Sequence, residues 1–195
     1  MDVFERAKNI CFNPKNTWQQ ILIEPTTIRE LFVTYACILA LVPSMANLIG
    51  TSFVGSTSMG MRYRVPFFSG LVYAAASYLF SLLSIYVIAL VIDALAPRFA
   101  TEKNLLNAVK LSVYSATPSW VGSILLILPG LAVISILISL YGFYLLYLGL
   151  PVLMGTPRER LTPYFAAVVF VTIIVSAFIG AVGALLFAPV MVGNL

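Results

Sequence analysis

FFSGLVYAAASYLFSLLSIYVIALVIDALAP, residues 67–97, decides how this chain must be read. From Phe67 to Ile92 no side chain is charged, and the first charge is Asp93, just before Pro97 and Arg98. Such a run exceeds the roughly 20 apolar residues that carry a helix across a bilayer. Backbone groups in hydrocarbon must pair within their own segment, and the run lacks the two-residue alternation of a barrel strand, so it reads as helix. The rest of the chain agrees. It has 195 residues, 61% apolar and 9% charged, whereas soluble domains carry roughly a quarter charged residues. The solvent for most of this surface is therefore lipid.

Five runs meet the length requirement: 31–49, 67–94, 111–128, 131–154 and 162–190. The expected fold is an all-α membrane protein, a five-transmembrane-helix bundle over residues 31–195, preceded by a cytoplasmic amphipathic tail, residues 1–30. The first apolar run starts too far along the chain for a cleavable signal peptide. Pro129-Gly130 leaves almost no connection between the third and fourth runs, which predicts an antiparallel pair of neighbours. The loop 51–66, rich in Gly, Ser and Thr, is expected to be the most mobile segment.

Lysine and arginine set the orientation. Arg6, Lys8, Lys15, Arg29, Arg98, Lys103, Lys110, Arg158 and Arg160 fall on one side, nine in all, against Arg62 and Arg64 on the other. This places the amino terminus in the cytoplasm and the carboxyl terminus outside. The net charge of +4 is spread over loops rather than massed on a face, so nucleic acid is not an expected partner. The chain has two cysteines and no histidine. No metal, no cofactor and no nucleophile–base–orienter set is expected, and the protein is read as a non-enzyme.

Within the tail, Val3, Phe4, Ala7, Ile10 and Cys11 recur at helical spacing opposite Asp2, Glu5, Arg6 and Lys8. This predicts an amphipathic interfacial helix stopped by Pro14. Its roles span packing, sensing of a membrane surface, and docking of a partner. Trp18 is placed at headgroup level, and Thr27 with Glu30 forms a capping box opening the first span.

Polar groups within the apolar runs are the candidate binding residues. Tyr73, Ser77, Ser81 and Ser84 form a hydroxyl stripe on the second span, either helix glue or the wall of a groove. Asp93 is the acid inside that run; it either meets Arg98 at the interface or serves a function. YSATPSW, 114–120, places Tyr114, Ser115, Thr117 and Ser119 around Pro118. Proline lacks an N–H, which predicts a helix kink or break here, between an amphipathic approach helix over 101–115 and the third span. The break is read as a hinge or as a ligand- or ion-contacting site. Tyr141, Tyr144 and Tyr147 follow at spacings of three, with Gly142 and Gly149 in the same stretch. Ser176, Gly180 and Ala184 predict a tight helix crossing in the last span.

PKNTW (14–18), the IEP before the first span, YSATP (114–118) and YLLYLGLP (144–151) together resemble the Yip1-domain family of membrane proteins. The resemblance implies five helices with a cytoplasmic amino terminus and a short outer carboxyl terminus. Eukaryotic relatives act in endoplasmic reticulum–Golgi vesicle traffic and associate with Rab GTPases and with one another. They carry a long cytosolic domain with a D-L-Y-G-P motif; this chain has neither, so the GTPase partnership is not carried over. The compact form resembles prokaryotic inner-membrane members. Two functions follow as expectations. The first is a non-enzymatic membrane-organising or interaction protein, with membrane lipid, a second copy or other membrane proteins as partners. The alternative is a small-solute or ion transporter or channel built on the Pro118 break and the groove of the second span. A sealed apolar bundle is expected for the first; a polar cavity touching Tyr73, Ser77, Asp93 and Tyr114 for the second.

Overall fold

The computed structural model describes residues 2–58 and 61–192, and the side chains of all of these except 56–58, 61–63, 129 and 184–192. Helix α1 spans Val3–Phe12, with the Asp2 carboxylate accepting from the Phe4 and Glu5 amides. This N-cap satisfies two otherwise orphaned donors. Helix α2, Pro14–Ile23, follows after a single residue; Pro14 opens it, since a first-turn proline loses no helical bond.

Residues 28–54 form one continuous rod: α3 (Ile28–Leu31), a π-helical turn Phe32–Ala36, α4 (Cys37–Ile49) and a second π-helical turn Gly50–Val54. The Thr27 hydroxyl accepts from the Glu30 amide at 3.2 Å and starts it, as the sequence predicts. The connecting loop pairs strand β1 (Ser56–Ser58) with β2 (Met61–Tyr63) in an antiparallel hairpin. Its tip, 59–60, lies outside the described residues, and so does the mobility expected of it.

Helix α5, Phe67–Leu95, ends in a 3₁₀ turn, Ala96–Phe99. Helix α6, Leu105–Gly122, continues as a 3₁₀ turn over Ser123–Ile127, and α7 covers Ala132–Leu153. Helix α8 runs from Arg158 to Val192. Four helical rods are long and apolar enough to cross a membrane: Ile28–Val54, Phe67–Phe99, Ala132–Leu153 and Arg158–Gly183. The protein is a multi-pass, essentially all-helical membrane protein.

The expected third span is where sequence and structure part. Helix α6 is not among those four rods, because Lys110, Ser112, Tyr114, Ser115, Thr117 and Ser119 dilute its apolar character. Nor does Pro118 break it. The helix passes through the proline and changes pitch only at Ser123. The approach helix is not amphipathic either, for every residue from Ala108 to Ser115 is buried. Packing explains all three differences. Helix α6 lies against α1, α4, α5 and most extensively α7, so Lys110, Ser112 and Thr117 find partners within the protein and Pro118 is buried.

Close approach of α6 and α7 depends on Gly142. A Cβ there would lie 2.6 Å from the Ser115 carbonyl oxygen, so only glycine admits the neighbouring backbone. Gly149, two turns on, leaves room for Trp18 of α2, whose Cζ2 would stand 2.9 Å from a Cβ. Trp18 is fully buried within the protein. Among the described residues nothing closes the crossing expected at Ser176, Gly180 and Ala184: a Cβ on Gly180 would meet nothing within 4 Å, and the Ala184 side chain lies outside the described residues.

Candidate functional site

Two polar regions form at opposite ends of the bundle. The first joins the amino-terminal helices to α6. Lys110 is 97% buried, and its Nζ donates to the Ile21 and Glu24 carbonyl oxygens, both at 2.8 Å. These carbonyls end α2, where a cation suits both the free acceptors and the helix dipole. Arg6 pairs with the Glu24 carboxylate and ties α1 to the end of α2. Tyr141 of α7 donates to the Cys11 carbonyl oxygen at 2.9 Å. Together these contacts latch α1 and α2 onto the bundle.

Tyr114 and Thr117 belong to this latch. Tyr114 packs tilted against Tyr35, ring centroids 4.9 Å apart, and edge-on to Trp18 at 6.3 Å. The Tyr35 and Thr117 hydroxyls are hydrogen-bonded at 2.9 Å, both fully buried. Pro118, one residue on, faces an apolar groove of about 1130 Å³ beneath α1, with Phe4, Phe12, Ile38 and Val121 in its walls. Phe4 itself is 79% exposed, while Ala7 and Ile10 of the same apolar face are buried.

The second region lies toward the hairpin end, where α4 finishes and α7 begins. A pocket of about 400 Å³ opens between α4, α5, α6 and α7. Tyr73, Ser77 and Ser81 of the predicted stripe line it, with Ser44 and Asn47 from α4, Ser119, Trp120 and Ser123 from α6 and its extension, and Ser135 and Ser139 from α7. No charged side chain lies in its wall among the described residues. Pro43, also in the wall, sits inside α4 and cannot donate to the Leu39 carbonyl four residues back.

The remaining candidates stand apart from both regions. Asp93 reaches neither the pocket nor Arg98: its Oδ1 is buried without a hydrogen-bond partner, and no Asp93–Arg98 ion pair occurs among the described residues. Its neighbour is Tyr164 of α8, which donates to the Ile92 carbonyl oxygen at 2.6 Å. Tyr144 is 46% exposed, its ring against Tyr141 at 5.4 Å. The cavity thus gathers Tyr73 and Ser77 but neither Asp93 nor Tyr114. Among the described residues no group of three or more His, Cys, Asp or Glu is placed to hold a metal ion.

Sequence reasoning missed Lys110 as a structural residue, reading it only as a topology charge. It also missed Ser44, Asn47, Ser135 and Ser139 in the pocket. Their signal was present: paired polar residues at spacings of three and four inside apolar runs, the first pair beside Pro43.

The Yip1 domain pattern matches residues 8–192. Among curated proteins, the chain is 26% identical over 152 residues to the inner membrane protein YohC of Escherichia coli K12, covering 76% of this chain and 78% of that protein. The same figures hold for YohC of Escherichia coli O6:H1 strain CFT073. No solved structure matches the chain.

Proposed function

The chain belongs to the Yip1-domain family, and on that premise we propose a non-enzymatic inner-membrane protein that organises membrane or binds protein and lipid partners through its amino-terminal helices. The similarity to YohC supports the compartment, and neither YohC relative carries an enzyme name. Helix α6, with its 3₁₀ extension, supplies a fifth crossing shielded by its neighbours. The amino terminus then faces the cytoplasm and the carboxyl terminus the outside. Partners are membrane lipid, a second copy of the chain or other membrane proteins.

The observation that carries this reading is the latch. It buries Ala7, Ile10, Thr17, Trp18 and Ile21 of α1 and α2 against the bundle and leaves Phe4, Phe12 and Ile23 exposed on the same helices as the exposed Lys8 and Lys15. Aromatic and aliphatic side chains next to lysines suit the boundary between headgroups and acyl chains. Removing the tail is a poor test, since Ile10, Trp18 and Ile21 belong to the core. Replacing Phe4 and Phe12 by serine touches only the exposed face. Cross-linking and co-purification in native lipid should recover a reproducible set of lipids or proteins with the wild type and lose it with that variant. Recovery of nothing reproducible sinks the reading.

Orientation has its own test. A membrane-impermeant maleimide should label Arg64→Cys, and not Glu102→Cys, from the outer face of intact spheroplasts. The reverse pattern overturns the topology.

A second reading, a small-solute or ion transporter, draws its support from the hydroxyl-lined pocket. The candidate residues for it are Tyr73, Ser77 and Ser81, while Asp93, Tyr114, Thr117, Pro118 and Tyr144 lie elsewhere. Flux in proteoliposomes equal to that of empty vesicles, across ions and small metabolites, removes it.

A further inference from the structure

The pocket that supports the second reading also carries information about what fits it. Serine hydroxyls have one proton and two lone pairs. In this wall three of the serine protons are already committed. Ser77 donates to the Ala74 carbonyl oxygen at 2.9 Å, Ser123 to that of Trp120 at 2.5 Å, and Ser139 to that of Ile136 at 2.6 Å. The Trp120 indole N–H is directed to the Ser81 hydroxyl at 3.4 Å. These three serines have lone pairs left to offer a guest, while the hydroxyls of Ser81, Ser119 and Ser135 and the Asn47 amide add donors, so the wall presents both acceptors and donors but no charge.

Back-bonding of single serines explains one hydroxyl at a time. It does not explain why four helical segments converge theirs on one cavity within a lipid-facing protein. A guest bearing several O–H donors would satisfy those acceptors. An organic cation such as methylammonium fits less well, because no carboxylate stands in the wall to offset the desolvation of its charge. The size, about 400 Å³, suits a small organic molecule. Tyr73 and Trp120 add apolar ring surface for C–H faces.

We propose that this pocket binds a neutral polyol, free in solution or borne as the uncharged headgroup of a lipid. The proposal rests on the pocket of the second reading but not on transport, since binding requires no flux.

The test uses the full chain in phosphatidylcholine nanodiscs, titrated with glycerol, arabitol and inositol, with methylammonium as a cationic comparator. Calorimetry is read alongside tryptophan fluorescence, to which Trp120 contributes from the pocket wall. At least one polyol should bind saturably, methylammonium should not, and Ser77→Ala with Ser123→Ala should weaken polyol binding about tenfold or more. Alanine keeps the helices, and both serines bond only to carbonyls of their own segments or to Ser44, so the variant should fold. If its gel-filtration profile changes, Ser119→Ala serves as the variant.

A second arm places a neutral glucosyl diacylglycerol in the nanodisc and reads retention by native mass spectrometry. Retention by the wild type and loss from the variant, with free polyols silent, assigns the lipid source. No saturable response from either source, equal binding by the variant, or preference for methylammonium overturns the proposal. Binding without flux keeps the site and removes the transporter; flux unaffected by these substitutions keeps the transporter and removes the site.

Discussion

Helices α6 and α8 invert the rule familiar from soluble domains. Helix α6 contains a lysine, an asparagine, three serines, a threonine and a tyrosine, yet twelve of its 18 residues are buried. The rod Arg158–Gly183 of α8 is the most apolar of the four long rods, yet only 6% of its apolar window is buried in the protein. The cause is the solvent. Lipid tails are as apolar as leucine, so an apolar helix gains nothing by leaving them, whereas a polar helix must find partners inside protein. Burial here follows polarity.

The largest test of that contrast is Lys110→Met. It keeps length and apolar volume but removes two charge-assisted hydrogen bonds to the end of α2, each worth about 1.5–3 kcal/mol. Unfolding in detergent micelles should show a loss of about 3 kcal/mol, with α1 and α2 becoming protease-sensitive. An unchanged midpoint would break the claim that α6 is held by its polar groups.

Gly142→Ala comes next. Its methyl meets the Ser115 backbone, which cannot swing aside as a side chain could, so a cost of about 1–3 kcal/mol is expected in the same assay. A smaller effect belongs to the Tyr35–Thr117 bond. A double-mutant cycle with Tyr35→Phe and Thr117→Val should give a coupling of about 0.6 kcal/mol, and no more than about 1.7. Least affected should be α8: Ile174→Leu, on its exposed face, is expected to shift stability by less than about 0.5 kcal/mol. A loss as large as that of Lys110→Met would mean that α8 is packed against something.

The same contrast explains what the sequence disclosed. Long apolar runs such as 67–94 and 162–190 stood out because lipid-facing helices announce themselves by composition. The Thr27 cap and the short Pro129-Gly130 connection were legible too, being local chemistry. The burial of Trp18 was not legible, because its environment comes from Leu111 and Gly149, far along the chain. Pro118 was read as a break because intrinsic preference says so, and only the packing around α6 overrides it. The hydroxyl stripe of α5 was visible as a stripe, but Ser44, Asn47 and Ser135 join it only once four segments are assembled.

One consequence of the buried Trp18 concerns timing. Helices α1 and α2 leave the ribosome first, yet the slot that receives the indole does not exist until α6 and α7 have been made and brought side by side. The opening segment of the chain therefore docks late, and its closure reports that the downstream helices have been threaded correctly.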